Sequence, residues 1–496
     1  MYAIGYDIGS SFVKGAIVDV EHGTIVASAS YPDHEMTIHS PVPGWAEQDP
    51  ASWWEAIVGI TTMLSTRSAV SLQEIKAIGI SYQMHGLVVV DRDGVPLRPS
   101  IIWCDSRATE IGRAAFTRIG ERICLKEMLN SPGNFTASKL KWVRDNEPDV
   151  YAKAYKALLP GDYAALKMTG EFRTTISGLS EGILWNFPAH SVAERLLHEY
   201  QLRPDLLADT VPTMGLQGHL TPGAARELGL KAGIPVSYRA GDQPNNAFSL
   251  NVLEPGEIAA TAGTSGVVYA VSGTFNCDPA SRVNAFAHVN HMPEKPHVGI
   301  LLCINGTGIS NSWIRKLAGD SSLTYPAMNE IAATAPIGSK GLTVLPFGNG
   351  AERMLGDRDI GAVVEHLNFN IHSKPHVLRA VQEGVAFSFK YGIEIMQSIG
   401  IQPSVMRAGE ANMFLSPVFC RTVASIAEVT IELYNTDGAQ GAARAAAIGA
   451  GLVPSAKEAF RGLSCLRHVE PDVKRDEYVD AYELWRKSLD RVLSRS

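Results

Sequence analysis

The chain has 496 residues, which at about 150 residues per domain leaves room for two large domains or three ordinary ones and excludes a single small module. Apolar residues make up 45% and charged residues 19%, so large cores can form without disulfides, and disordered and fibrous classes are excluded. Lysine and arginine total 44 against 51 acidic residues, a formal net charge of -7, so the basic footprint that holds a phosphate backbone is missing and no nucleic acid partner is expected.

Met1 runs straight into the strand-like Ala3-Ile4-Gly5-Tyr6 without a charged leader or a small-residue cleavage site. Residues 2–19 read as two strands joined at Gly9-Ser10-Ser11, because short apolar runs flank the turn residues. Asp49 followed by Pro50 is an N-cap with proline at the first helical position, leading into Trp53, Trp54, Ile57 and Ile60. A further strand-like run, 78–81, is interrupted by the polar Gln83-Met84-His85-Gly86 before 87–90 resumes ahead of the turn Asp91-Arg92-Asp93-Gly94. Val236-Ser237-Tyr238-Arg239 leads into Ala240-Gly241-Asp242-Gln243-Pro244, and residues 258–271 then repeat the opening pattern with Gly263-Thr264-Ser265-Gly266 at the tip. Pro375 opens a helix with Val377, Val381, Val385 and Phe389 along one face, and Tyr478, Tyr482, Trp485, Leu489 and Val492 mark a last one. Two comparable lobes follow, 1–248 and 249–496. No low-complexity linker separates them, so they should pack directly and move about a hinge.

The longest mostly apolar stretch, 438–453, is broken by Gln440 and Arg444, so no membrane span and no membrane partner are expected. Cys104, Cys124, Cys277, Cys303, Cys420 and Cys465 contain no C-x-x-C pair, which fits a reducing compartment and a cytoplasmic protein.

Asp7-x-Gly9-Ser10-Ser11-x-x-Lys14 combines a carboxylate, a turn that exposes backbone N–H groups and hydroxyls, and a cation, which together suit a phosphate. The second tip offers the same without a lysine. Each alone is more often an ordinary hairpin turn, and the pair is the stronger signal. The chain has no Gly-Lys dipeptide, which excludes a Walker-type loop, and no Rossmann glycine fingerprint follows a strand. Asp242, at a strand end beside the lobe junction, is placed to take a proton from a hydroxyl, although spacing alone leaves a solvated turn carboxylate equally open. His85 could donate hydrogen bonds to a polyol, with Met84 as an apolar wall. The pairs His288/His291 and His372/His376 lack the glutamate of a zinc helix. Gly178-Leu179-Ser180-Glu181-Gly182 matches a hydrolase nucleophile elbow, but its polar approach and the early Pro188 make it read as a loop.

Taken in order, these residues resemble the FGGY family of carbohydrate kinases over almost the whole chain. Thr136-Ala-Ser-Lys139-Leu-Lys-Trp142, the segment 361–383 and, more loosely, Leu345-Pro-Phe-Gly-Asn349-Gly350-Ala-Glu352-Arg353 add to the match. The resemblance implies an α/β fold of two actin-like (ribonuclease-H-like) lobes around a cleft for ATP and a sugar. Gln83-Met84-His85-Gly86 followed by Trp103-Cys104-Asp105-Ser106-Arg107 is similar to the xylulokinases, which implies phosphorylation of D-xylulose with Met84, His85, Asp105 and Gln243 at the sugar. It also implies Asp242 as general base, with Asp7 and Asp242 holding Mg²⁺ through water. Ser10, Ser11, Lys14, Gly263, Thr264 and Ser265 would surround the phosphates, with Gly308, Gly409 and Asn412 at the adenosine. One segment departs: Arg407-Ala408-Gly409-Glu410-Ala411-Asn412 has a glutamate where relatives are glycine-rich. The small residues after Gly438 are expected to let backbone and nucleotide approach closely. Homodimers are common in the family, and no residue here signals one. Other readings stay open: a kinase of ribulose, L-xylulose, glycerol or gluconate, a non-catalytic actin-fold sensor, and a hydrolase at Ser180.

Overall fold

Residues 1–319 and 322–495 are described by the computed structural model of the chain. The opening hairpin forms because its apolar runs can be covered on both faces: Tyr2–Ile8 pairs antiparallel with Val13–Asp19, from Tyr2 against Asp19 to Ile8 against Val13. Thr24–Tyr31 extends the meander, and Ile75–Tyr82 and Pro235–Gly241 add parallel strands on the other side, with Met214–His219 antiparallel at that edge. The second sheet repeats the scheme. Glu257–Ala262, Gly266–Ser272 and Val298–Ile304 form its meander, Val405–Gly409 and Thr430–Tyr434 run parallel to the first strand, and Cys465–Val469 closes one edge. Asn284–Ala287 is an additional strand at the opposite edge. These are the two actin-like lobes.

One face of the first sheet, with Ile4, Tyr6 and Ile8, packs on Trp53, Ile57 and Ile60 of the helix Pro50–Arg67. That helix starts where Asp49 caps it, its side chain accepting from the Ala51 N–H at 2.9 Å. The opposite face is small, with Ala3 and Ala77 against Ala442, Ala443 and Ala446 of the helix Gly438–Gly449. A Cβ at Gly5 would overlap the backbone of Ala439 and Ala443, and one at Gly79 that of Ala442. The small residues after Gly438 therefore serve close approach to the first lobe's strands, because the side of the helix they line is buried against that sheet. In the second lobe the helix Lys374–Ser398 opens one residue before Pro375, with Ser373 as its cap, and packs with the helices Pro417–Ala427 and Arg475–Leu493.

A second interlobe contact uses the edge strand. Asn130 Nδ2 donates to Ala285 O at 2.6 Å and Asn130 Oδ1 accepts from the Ala285 N–H at 2.9 Å. Ser180 Oγ accepts from the Ala287 N–H at 2.9 Å, and Ser177 Oγ donates to Ala287 O at 3.2 Å. Side chains of one lobe thus occupy the open edge of the other lobe's sheet. Ser180 lies on a short helix, Ile176–Glu181, capped by Thr175, and not in the loop its sequence suggested. The preceding strand, Arg173–Thr175, forms despite its polarity because Asp209–Val211 pairs with it.

Candidate active site

In each lobe the parallel strands end on the side facing the cleft, the usual position for ligands in open α/β sheets. Tyr2–Ile8 carries Asp7 near its end, Ile75–Tyr82 delivers Gln83-Met84-His85, and Pro235–Gly241 passes directly into a helix that begins at Asp242. Pairing of Asp7 with Ser81 and of Gly241 with Tyr82 sets these groups side by side.

Asp7 and Asp242 are each partly exposed. Ser81 Oγ donates to Asp7 Oδ1 at 2.7 Å. Burial holds the Asp7 carboxyl above the ordinary carboxylate range against the pull of Ser81 and Lys14, and Asp437 adds a smaller upward push. Burial and then the Asp7 charge push Asp242 up to about 7, while hydrogen bonds from the backbone and side chain of Gln243 act the other way. Gly438 leaves no room for a Cβ, which would lie 2.5 Å from Asp7 Oδ2. At the hairpin tip the Gly9 N–H donates to Phe12 O at 3.0 Å, Ser10 Oγ accepts from Trp103 Nε1 at 3.3 Å, and the Ser11 carbonyl accepts from Met36 N. Lys14, opposite Asp7 in the ladder, is exposed.

His85 has a left-handed backbone, φ 63°, and its ring packs edge-on to Phe135 at 4.8 Å and beside Phe286 of the second lobe at 5.3 Å. Nδ1 lies 3.0 Å from the Glu181 carbonyl, which can only accept. Burial, helped by the Lys139 charge, lowers the His85 pKa to about 3, so the ring is neutral. Nδ1 then carries the proton and Nε2 presents a lone pair, so the free nitrogen of His85 is an acceptor rather than the donor its sequence suggested. Met84 packs beneath Gly241, whose missing side chain leaves space for Met84 and the Glu181 carboxyl. Glu181 is fully buried, and burial together with the Asp242 charge raises its pKa well above the usual range.

Asp105 lies below the surface. Its carboxylate accepts from the Ala46 N–H at 2.6 Å and from Arg107 Nε and Nη2 at 2.9 and 2.8 Å. Arg107 also pairs with Glu47 at 2.7 Å and stacks 3.8 Å over Trp45. The aspartate therefore anchors the 102–107 loop through protein donors. Lys139, fully buried, donates to the carbonyls of His85 at 2.8 Å and Ile102 at 2.9 Å, joining the two loops, and burial lowers its pKa to about 7. Neither Lys139 nor Glu181 was assigned a part from sequence. Lys139 sits in a segment quoted for its resemblance, and nothing local marks its burial.

Across the cleft, Gly263, Thr264 and Ser265 form the tip between Glu257–Ala262 and Gly266–Ser272. The Gly308 N–H donates to Gly263 O at 2.8 Å and the Ile309 N–H to Thr264 O at 3.1 Å, seating the tip on the start of the helix Gly308–Gly319. Beside it opens a cavity of about 830 Å³ lined by Gly263, Thr264, Gly308, Asn311, Tyr325, Pro326, Asn329, Glu330, Asn412, Leu415 and Pro417 among others. Ser416 Oγ donates to Gln382 Oε1 at 2.7 Å and Gln382 Nε2 to Asn329 Oδ1 at 2.9 Å, which leaves the Asn329 amide N–H groups for the cavity. Gly409 and Ser265 do not line it, and Glu410 lies outside it, paired with Arg467 at 3.3 Å. Among the described residues no group of three or more His, Cys, Asp or Glu could by itself hold a metal ion. Ser180 is buried and already bonded to Ser177 O and the Ala287 N–H, which leaves no hydroxyl free for an elbow nucleophile.

The arrangement pairs a carboxylate and a polar loop on one lobe with a Gly-Thr-Ser tip and a large cavity on the other. Residues 2–249 match the N-terminal domain of the FGGY family of carbohydrate kinases, and residues 258–450 match its C-terminal domain. The chain is 32% identical over 482 residues to the xylulose kinase of Escherichia coli (strain K12), covering 95% of each. It is 28% identical to that of Bacillus subtilis (strain 168), covering 92% of this chain and 90% of the relative. The crystal structure of xylulose kinase from Rhodospirillum rubrum superposes with a TM-score of 0.89 at 25% identity, covering 99% of each chain. A gluconate kinase from Lactobacillus acidophilus reaches the same TM-score at 23% identity and so shares the fold. Among the described residues no helix is long and apolar enough to cross a membrane. The chain belongs to the FGGY family of carbohydrate kinases and is an ATP-dependent sugar phosphotransferase.

Proposed function

We propose that this kinase transfers the γ-phosphoryl group of ATP to the terminal primary hydroxyl of an open-chain ketopentose, D-xylulose before others, with Asp242 as general base. The observation that carries this reading is the convergence of Asp242, Met84 and His85 at adjacent strand ends, opposite the 263–265 tip. His85 Nε2 accepts a hydroxyl hydrogen bond, Met84 walls the carbon chain, and Gln243 steadies Asp242. Asp242 takes the proton as the sugar oxygen bonds to the γ-phosphorus and the bond from that phosphorus to the β-phosphate's bridging oxygen breaks, releasing ADP. Backbone N–H groups at both tips, with Ser10, Ser11, Thr264 and Ser265, hold the phosphates, and Lys14 adds charge. The adenosine occupies the cavity against Gly308 and Asn412, with Gly409 behind it.

Mg²⁺ fits at Asp7 and Asp242. Two partly exposed carboxylates repel each other there, and Asp7 Oδ2 faces Gly438 rather than a donor, which suits a hydrated hard cation held through water. When bound, the ion neutralises charge on the β- and γ-phosphates. We also place the protein in the cytoplasm and divide its lobes at 248/249, and a homodimer, common in the family, is the assembly to test for.

The test is ADP release with Mg-ATP across D-xylulose, L-xylulose, D-ribulose, L-ribulose, glycerol and gluconate. Strongest turnover on D-xylulose supports the reading, and a preference for any of the others overturns the substrate while keeping the family chemistry. A pH profile supplies a second check. Burial and the Asp7 charge push the Asp242 carboxyl up to about 7, and a cation held between the two carboxylates would draw it back down. The acid limb of turnover should therefore move to lower pH as Mg²⁺ is raised, and an acid limb that does not respond to Mg²⁺ contradicts a base shared with the ion.

A further inference from the structure

The loop from Leu345 to Arg353, familial by resemblance but given no part by the chemistry above, wraps around Asn305. Asn349 Nδ2 donates to Asn305 O at 3.2 Å, and Asn305 Nδ2 donates to Ala351 O at 2.8 Å. The Asn305 N–H donates to the two carboxylate oxygens of Glu352 at 2.9 and 3.1 Å, and the Gly306 N–H donates to Oε1 at 3.2 Å. Glu352 is 1% exposed, and among the described residues no lysine or arginine offsets its charge. A buried carboxylate is tolerated only where donors satisfy it, so the two amides and the carboxylate fix one another.

What those amides lead into matters. Gly306 has no room for a Cβ against Pro346 O, so the loop and residues 305–306 move as one. Two residues on, the Gly308 and Ile309 N–H groups hold the carbonyls of Gly263 and Thr264. Arg353, the next residue after Glu352, donates from Nε to Ser281 O at 2.7 Å, and its charge reaches His85 and Cys303 on the sugar side.

We propose that Glu352 is a positioning residue for the phosphate-binding tip: its carboxylate fixes Asn305 and Gly306, and through Gly308 and Ile309 it holds Gly263 and Thr264 where the β- and γ-phosphates are gripped. The proposal rests on reading 263–265 as a phosphate tip. Glutamine at 352 keeps the shape but offers one acceptor oxygen and turns an NH₂ toward an N–H. The cavity walls at Tyr325, Asn329 and Leu415 belong to other segments and keep their places, whereas Gly308 both lines the cavity and leads to the tip, so adenosine should weaken too, though less than Mg-ATP.

The experiment is calorimetric binding of Mg-ATP and of adenosine to the full chain, as wild type, Glu352→Gln and Asn349→Ala. Glu352→Gln should weaken Mg-ATP about tenfold and adenosine by no more than about threefold, with the sugar KM unchanged. Asn349 is exposed, so its replacement spares the core, and it should weaken Mg-ATP selectively by about two- to threefold. It carries the test if the first variant does not fold. Loss of ATP and adenosine in equal measure, or of neither in both variants, overturns the proposal. A wild type that prefers Mg-ATP to adenosine while both variants keep that preference removes only the part given to Glu352. A wild type without the preference removes the phosphate tip as well.

Discussion

Asp242→Asn should lower kcat by about 10³-fold while the sugar binds within about threefold of wild type. Asparagine fills the same space at the start of the helix Asp242–Ser249, and the Gln243 hydrogen bonds that steady this position can still form, so the fold is kept. The variant lacks a group that can take the hydroxyl proton as the oxygen attacks. It also lacks the charge that, set against Asp7, makes the wild-type site electrostatically unfavourable in the absence of a cation. Nucleotide binding without Mg²⁺ should therefore be no weaker than in wild type. ADP release gives kcat and calorimetry gives the sugar affinity. A variant within about tenfold of wild-type kcat rejects Asp242 as the base, and one that loses sugar affinity in step with kcat makes it a binding residue instead.

Gly79→Ala should be among the most damaging single-methyl changes in the protein. The added carbon would overlap Ala442 O and lie 2.7 Å from Ala442 C, both backbone atoms of the helix Gly438–Gly449, and 3.1 Å from the Ala446 side chain. No rotamer change relieves contact with backbone, so the helix must lift off the sheet. We expect a loss of about 3 kcal/mol, the upper part of the range for overpacking. On a lobe of this size that lowers Tm by about 10 °C. The same substitution at Gly223 is the control, because it lies on the helix Pro222–Leu228 with nothing within 4 Å of the added carbon. There alanine should raise stability by about 0.5 kcal/mol through helix propensity. Equal Tm values for the two variants would mean that the helix does not pack on Gly79 as described.

Much of the fold was legible because its signals are local. Asp49 before Pro50, the two Gly-rich hairpin tips and the stripes at 377–389 and 478–492 each sit within a few residues, and each produced the element it suggested. Where distant segments decide, sequence was silent or misleading. Arg173–Thr175 looked too polar for a strand until Asp209–Val211 paired with it, and Ile176–Glu181 turned out helical. The composition of the alanines after Gly438 does not say that they pack on a sheet, and only Gly5 and Gly79, far away in the chain, show it. In the site, Asp7, His85 and Asp242 could be singled out by strand ends and resemblance. The tautomer of His85 depends on the Glu181 carbonyl, and the engagement of Asp105 depends on Arg107 and the Ala46 amide, geometry that no spacing encodes. Glu410, the residue that broke the family pattern, lies outside the cavity, paired with Arg467 on the edge strand Cys465–Val469, two strands from the one it follows.

The helix Gly438–Gly449 also bears on how the chain is made. Residues 5 and 439 touch, so the inner face of the first sheet is covered by a segment synthesised more than 400 residues after its first strand. Until that segment is made, Ala3, Ala77 and Tyr238 lack their partner, and the newly made first half presents an apolar face to its surroundings. The two halves therefore cannot mature as independent beads on a string. The first lobe waits for the second, and anything that delays or truncates the tail leaves a sticky intermediate, however well the first 240 or so residues have found their own strands.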